Sequence, residues 1–143
     1  MTSPQSPTSS PATLILARVD AFRSCDFGFV FDSYHDASNF RRQFPDRDDY
    51  IRYGWATLGK EFRILACAIL REEQVGSAAR VIYLLEYELH GLRQRYAELA
   101  WLEDAGAGWR YRCGQKMTPE EWPVAVSRLD FVHFDEAAEK VIY

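Results

Sequence analysis

The sequence predicts an α+β domain: a long antiparallel helical hairpin at about residues 47–103, packed with a small antiparallel sheet and closed by short terminal helices. Three observations predict it. An apolar stripe runs through Ile51, Trp55, Leu58, Phe62, Leu65 and Ile69 at intervals of four and three, the spacing of one helix face. After the break "QVGS", a second stripe runs through Val81, Leu85, Leu89, Leu92, Tyr96 and Leu99, so two amphipathic helices can close on each other. The flanking segments carry short apolar or alternating runs of strand character.

Taken in order, residues 1–11 are rich in Ser, Pro and Thr and read as a disordered tail, which leaves 12–143 as a single domain. "ATLILARV" (12–19) and "FGFVFD" (27–32) are expected as strands of a hairpin. "SYHDASNFRRQF" (33–44) suits a short helix with Ser33 as N-cap, ended by Pro45. The first long helix, about 47–73, starts with Asp46 as cap and Asp48 and Asp49 in the first turn. Gly54 and Gly59 each weaken it by about 1 kcal/mol relative to alanine. Period two also fits part of "FRILACAIL", so a strand at 62–70 is the competing reading.

The second long helix spans about 77–103 and stops at "DAGAG". "WRYRC" (109–113) alternates and is expected as a strand. In "TPEEW", Thr118, Pro119 and Glu121 occupy the N-cap, N1 and N3 positions of a helix start. "SRLDFVHF" (127–134) fits helix and strand equally, and "DEAAEKVIY" is expected as a final short helix.

Composition bounds the function. With 48% hydrophobic and 27% charged residues over 143 positions, the chain can bury a core without disulfides. Cys25, Cys67 and Cys113 are odd in number and far apart, which predicts reduced thiols and a cytoplasmic setting. "MTSPQSPTSSPA" lacks the pattern of a secretory leader, and no run of about 18 apolar residues is present, so no membrane span is expected. A formal charge of -4 without a basic face weighs against nucleic acid as a partner.

Candidate chemistry centres on "RVIYLLEYELHGLRQRYAELAWLED" (80–104). On a helix, Glu86 and His90 would stand on adjacent turns, a weak metal-ligand pair with no HExxH or further ligands to complete it. No cofactor is therefore expected. On the same wheel Tyr83, Tyr87 and Trp101 gather near His90, opposite the leucine stripe. With Trp122 they make an aromatic surface flanked by charge, the composition of a protein interface. Glu88 falls beside the apolar stripe and is the acid expected to be buried, where it would need a partner or a proton. His35 beside Asp36, His133 near Asp130 and Asp135, and Cys113 after two arginines are weak catalytic candidates, with no nucleophile motif to join them.

These features favour a small acidic protein-binding module: a homodimer, or a chaperone-like or inhibitor/immunity-like protein that occludes or scaffolds a protein partner. The alternatives are a ligand-binding or enzymatic domain with a polar pocket between hairpin and sheet, and a structural subunit of a larger assembly. Convergence of His35, His133 and Cys113 on one cavity would favour the enzyme.

Overall fold

A computed structural model describes residues 10–137 and 142–143. The tail expected at 1–11 lies outside the described residues as far as position 9, as does 138–141 of the expected final helix. The fold is α+β: a joined helical segment over 47–61 packs against a four-stranded antiparallel sheet, with short helices toward both termini. No described helix is long and apolar enough to cross a membrane.

The two N-terminal strands expected from composition are helices. Helix α1, Pro11–Arg23, begins with the Ser10 side chain accepting from the Thr13 N–H at 3.3 Å, with Pro11 already at the first helical position. Its inner face is Ile15, Arg18, Val19 and Phe22, a helical spacing hidden inside a run of Leu and Ile. Helix α2, Phe27–Asp32, is capped by Asp26 and buries Phe27, Val30 and Phe31, again at intervals of three and one. The helix expected at 33–44 is shorter, α3 Asn39–Gln43, and its cap is Ser38 rather than Ser33. Ser33 instead ends α2, where its hydroxyl donates to the Val30 carbonyl at 2.6 Å.

Helix α4, Arg47–Tyr53, starts at the expected Asp46 cap. It continues through one π-helical turn, Gly54–Leu58, into α5, Gly59–Glu61. The π turn is seated on Phe27. A Cβ added at Gly54 would stand 2.5–2.7 Å from atoms of the Phe27 ring. Gly54→Ala is therefore expected to destabilise by about 1–3 kcal/mol through overpacking, despite the better helix propensity of alanine. A lower urea midpoint at unchanged slope would show it; an unchanged midpoint would mean that Phe27 moves aside freely.

From residue 62 onward the hairpin of long helices is replaced by strands. Strands β1 (Phe62–Val75), β2 (Ala78–Leu89), β3 (Leu92–Asp104) and β4 (Trp109–Met117) form an antiparallel meander in chain order. The competing strand reading of 62–70 holds, and β4 extends the strand expected at 109–113. The physical reason is that the apolar pattern also satisfies period two: Val81, Tyr83, Leu85, Tyr87 and Leu89 are alternate residues on one face. The turn settles the choice. His90 and Gly91 have φ of +52° and +80°, as a two-residue turn with both central residues left-handed requires, and Leu89 pairs with Leu92 across it.

Each sheet face is covered. The helices lie on the inner face, where Ile15 and Val19 of α1 meet Ile64, Val81, Leu85, Ala100 and Leu102. The outer face, Ile82, Ala97, Leu99 and Met117, is covered by the C-terminal segment through Leu129 and Phe134. That segment contains the "TPEEW" start, realised as a 3₁₀ turn with its capping box, and helix α6, Phe131–Asp135. Arg71 donates to the Leu129 carbonyl at 2.9 Å and Gln115 to the Phe134 carbonyl at 2.9 Å, which ties the segment to β1 and β4. A register shift in β1 between Ile64 and Ala66 leaves two carbonyls for Arg23, which donates to Ile64 at 3.3 Å and Leu65 at 3.1 Å.

Candidate ligand-binding site

Between the helices and the inner face of the sheet lies a cavity of about 770 Å³. Its walls come from α1, from the segment 38–58, and from all four strands. Burial separates a floor from a rim. Arg18, Tyr83, Glu98 and Tyr111 are buried, whereas Arg42, Tyr53 and Tyr143 are exposed around the opening.

Arg18 is the least expected residue of the floor. It occupies the apolar face of α1, 8% exposed, with its guanidinium carbon 4.4 Å from the centroids of both the Tyr34 and the Tyr111 rings. Such placement satisfies the cation electrostatically without a carboxylate. Its Nη1 donates to Ser33 Oγ at 2.5 Å. A backbone bridge positions both partners: Tyr111 N–H donates to the Ser33 carbonyl at 2.8 Å, and His35 N–H to the Tyr111 carbonyl at 2.8 Å. Burial opposes the arginine's charge, but the neighbouring phenols of Tyr34 and Tyr111 outweigh it and leave the group above its ordinary pKa.

Glu98 faces the same floor from β3. It is 2% exposed and accepts a hydrogen bond from the Tyr111 hydroxyl. Gly114 makes room for this pair, since a Cβ there would stand 2.9 Å from Glu98 Cδ and nearer still to Glu98 Oε2 and Tyr111 Oη. Burial, reinforced by the Glu98 charge, pushes the phenols of Tyr83, Tyr96 and Tyr111 well above their usual pKa. These groups therefore act at neutral pH as hydroxyl donors and acceptors, not as bases.

The candidates taken from sequence are spread over the molecule. Tyr83 lies on the cavity floor, and Tyr87 lines the cavity, its hydroxyl donating to Gln94 at 3.0 Å. Trp101 is on the outer face, 38% exposed, beside Arg80. Trp122, half-buried, covers part of that face and donates to the Met117 carbonyl at 3.2 Å. His90 is at the β2–β3 turn, its Nδ1 3.6 Å from Glu61. The helical face meant to gather Tyr83, Tyr87, His90 and Trp101 does not exist, because alternation in strands sends Tyr83 and Trp101 to opposite sides.

The same change separates Glu86 from His90: four residues of extended chain span about 13 Å, not one helical turn. Among the described residues no three His, Cys, Asp or Glu side chains group as metal ligands. Glu88 is half-buried and lies opposite Arg63 of β1 and Arg93 of β3, so the buried acid is Glu98 and not Glu88.

His35, His133 and Cys113 do not converge, and none lines the cavity. His35 Nε2 stands 3.2 Å from Glu103, and its Nδ1 accepts from the Ala37 N–H at 3.0 Å. His133 completes the α6 capping box, its Nδ1 accepting from the Asp130 N–H at 2.9 Å. Cys113 is half-buried opposite Trp101; burial raises its thiol pKa more than Arg112 lowers it, so it is held as a thiol.

The chain is similar to the solution structure of a SEC-C motif containing protein from Rhodopseudomonas palustris, with a TM-score of 0.58 and 22% identity, over 73% of this chain and 77% of that one. At that identity the likeness concerns the fold. No protein-family model matches the chain, and no curated protein does.

Proposed function

We propose that this chain is a small binding module that encloses a small molecule between its helices and the inner face of its sheet. One observation carries the reading: a cavity of about 770 Å³ whose floor presents a buried arginine and a buried carboxylate among aromatic rings. Small-molecule sites are of this size, mostly apolar, with a few convergent polar groups that set orientation. Stability alone does not call for the charges, because buried ionic groups are often matched or bettered by apolar residues of similar volume. Binding gives Arg18 and Glu98 a use.

Thermal unfolding against a library of metabolites tests the reading. A ligand at a hundred times its Kd adds about 2.7 kcal/mol to stability and raises Tm. The Leu89→Trp variant, which adds bulk at the half-buried edge of the cavity, should lose that response while keeping its circular dichroism. Stabilisation that survives Leu89→Trp, or none from any compound, would count against the cavity.

A second reading, docking of a protein partner or a second copy, is favoured by the outer face. There Arg80 lies 5.2 Å from the centroid of the partly exposed Trp101 ring and 4.2 Å from that of Phe131. An aromatic residue beside an arginine is the usual make-up of an interface hot spot. Sedimentation of the wild type and of Trp101→Ala separates the cases: an assembly that dissociates in the variant supports docking, and a monomer in both removes the self-association form of it.

A further inference from the structure

We infer that the ligand of the cavity is a flat aromatic monoanion, a carboxylate or sulfonate on linked or fused rings, with its charged group against the Arg18 guanidinium. The inference rests on the cavity being the working site. Its first support is charge. The chain as a whole has a formal charge of -4, yet among the described residues the charged side chains lining the cavity are those of Arg18, Arg42, Arg112 and Lys116 against one side-chain carboxylate, that of Glu98. Among the described residues only Arg112 of these four is in a salt bridge, 3.7 Å from Glu103. A cationic cavity in an acidic protein attracts an anion and repels the surrounding surface's own counter-ions.

The second support is the unused hydrogen-bonding capacity of Arg18. The guanidinium carries five N–H donors, of which Ser33 Oγ takes one and Tyr34 is a second hydrogen-bond partner. Among the described residues no buried side-chain nitrogen lacks a partner. The remaining nitrogens of Arg18, a residue lining the cavity, are therefore open to it rather than sealed in the core. A planar fork facing a desolvated space fits a carboxylate or sulfonate, and a charge-assisted bond there is strong because water is excluded.

Ring faces are the third support. Tyr83, Tyr87 and Tyr96 line the cavity from the strands, and Tyr34 opposite them is held between Phe40, stacked at 3.7 Å, and the Arg18 guanidinium. Flat apolar bodies fill such walls at low entropic cost, and aromatic pairs gain beyond burial alone. Glu98 limits the charge. A second anionic group placed at the far end of the floor would meet its carboxylate, whereas a hydroxyl or amine there would find an acceptor.

The test compares two probes that share one ring skeleton, 1-anilinonaphthalene-8-sulfonate and the uncharged N-phenyl-1-naphthylamine, by fluorescence titration with calorimetric stoichiometry. One sulfonate per chain is expected, bound about tenfold or more tightly than the neutral amine, the equivalent of one charge-assisted hydrogen bond. Arg18→Met should erase the difference between the two probes. Lys116→Met, at a half-buried position nearer the rim, should weaken the sulfonate severalfold, and it decides the matter together with the wild-type ratio if Arg18→Met does not fold. Equal affinity of the two probes for the wild type, or sulfonate binding indifferent to both substitutions, overturns the anionic class while leaving the cavity as a site. Binding of neither probe removes the site itself.

Discussion

Phe27→Ala is expected to lower the free energy of unfolding by about 3–5 kcal/mol, the usual cost of removing a buried aromatic side chain. Phe27 is 2% exposed. Its ring is packed edge-on against Tyr50 at 6.2 Å and Trp55 at 5.9 Å, and the missing side chain of Gly54 lets the π turn close over it. Neither neighbour can fill the gap without moving the helical segment as a whole, so collapse is limited and the void persists. Against a total of about 5–15 kcal/mol for a domain of ordinary stability, the loss is large. It also reaches the candidate site, because Tyr50, Tyr53 and Leu58 of that segment form one wall of the cavity. Urea unfolding measures the first effect. Probe binding at a urea-free temperature where the variant is folded measures the second, with weakened binding expected. Phe27→Leu, which retains most of the volume, should recover most of both; a loss near zero in Phe27→Ala would show that the segment is held without this contact.

Several elements were legible from local chemistry alone. Asp46 starts the helical segment, Thr118 and Glu121 make a capping box, and "WRYRC" is a strand, each because a short-range rule was met without competition. The long hairpin was misread where two periods coincide. Residues spaced by four, such as 81, 85 and 89, lie on one face of a helix and also on one face of a strand, and only the intervening Tyr83 and Tyr87 distinguish the two. In a strand they join the apolar face; in a helix they need a separate partner. His90-Gly91 was the deciding signal, since histidine tolerates positive φ better than most residues and glycine follows it. The N-terminal helices were missed for the opposite reason: "ATLILARV" is apolar enough to suit a buried strand, and its helical face includes an arginine.

That arginine is also what hides the candidate site in the sequence. A charged residue at a position that must be apolar by its neighbours' spacing marks a candidate site, yet Arg18 counts against helicity in any hydrophobic pattern. Glu98 was hidden in the same way. On a helix it falls away from the stripe of Tyr96 and Leu99, whereas on β3 it alternates with Tyr96, Ala100 and Leu102 and must point inward. Glu88 drew attention because it lies beside leucines in a helical wheel that the chain does not adopt. Arg18 and Glu98 meet only through Tyr111, whose ring takes the arginine and whose hydroxyl donates to the carboxylate, and no local rule reaches from residue 18 to residue 111.

Above about pH 10 the protein is expected to lose stability steeply, and the buried tyrosines are the reason. Burial is the leading cause that raises the pKa of Tyr50, Tyr83, Tyr96 and Tyr111, and the Glu98 charge adds to it at the last three. Tyr96 keeps some accessible surface, but it faces the cavity. In the unfolded chain all four ionise near pH 10, so the unfolded state then binds fewer protons than the folded one, and stability falls as pH rises. The slope is about 1.4 kcal/mol per pH unit for each phenol that stays protonated only in the fold. Four such groups are enough to unfold an ordinary domain within one or two pH units. Below the unfolded pKa the contribution is fully present. The Cys67 thiol, pushed up to about 11 by burial, adds a loss of the same sign that begins lower, near the pKa of a free thiol. Absorbance at 295 nm should show these phenols ionising together, in step with the loss of far-ultraviolet dichroism, and Tyr83→Phe should make the decline shallower by one group. Gradual ionisation near pH 10 with the dichroism intact would contradict the burial. A bound anion at Arg18 would add a negative charge beside Tyr111 and oppose its ionisation further. Saturating sulfonate should therefore move the alkaline transition upward, by more than the uncharged amine does at matched occupancy.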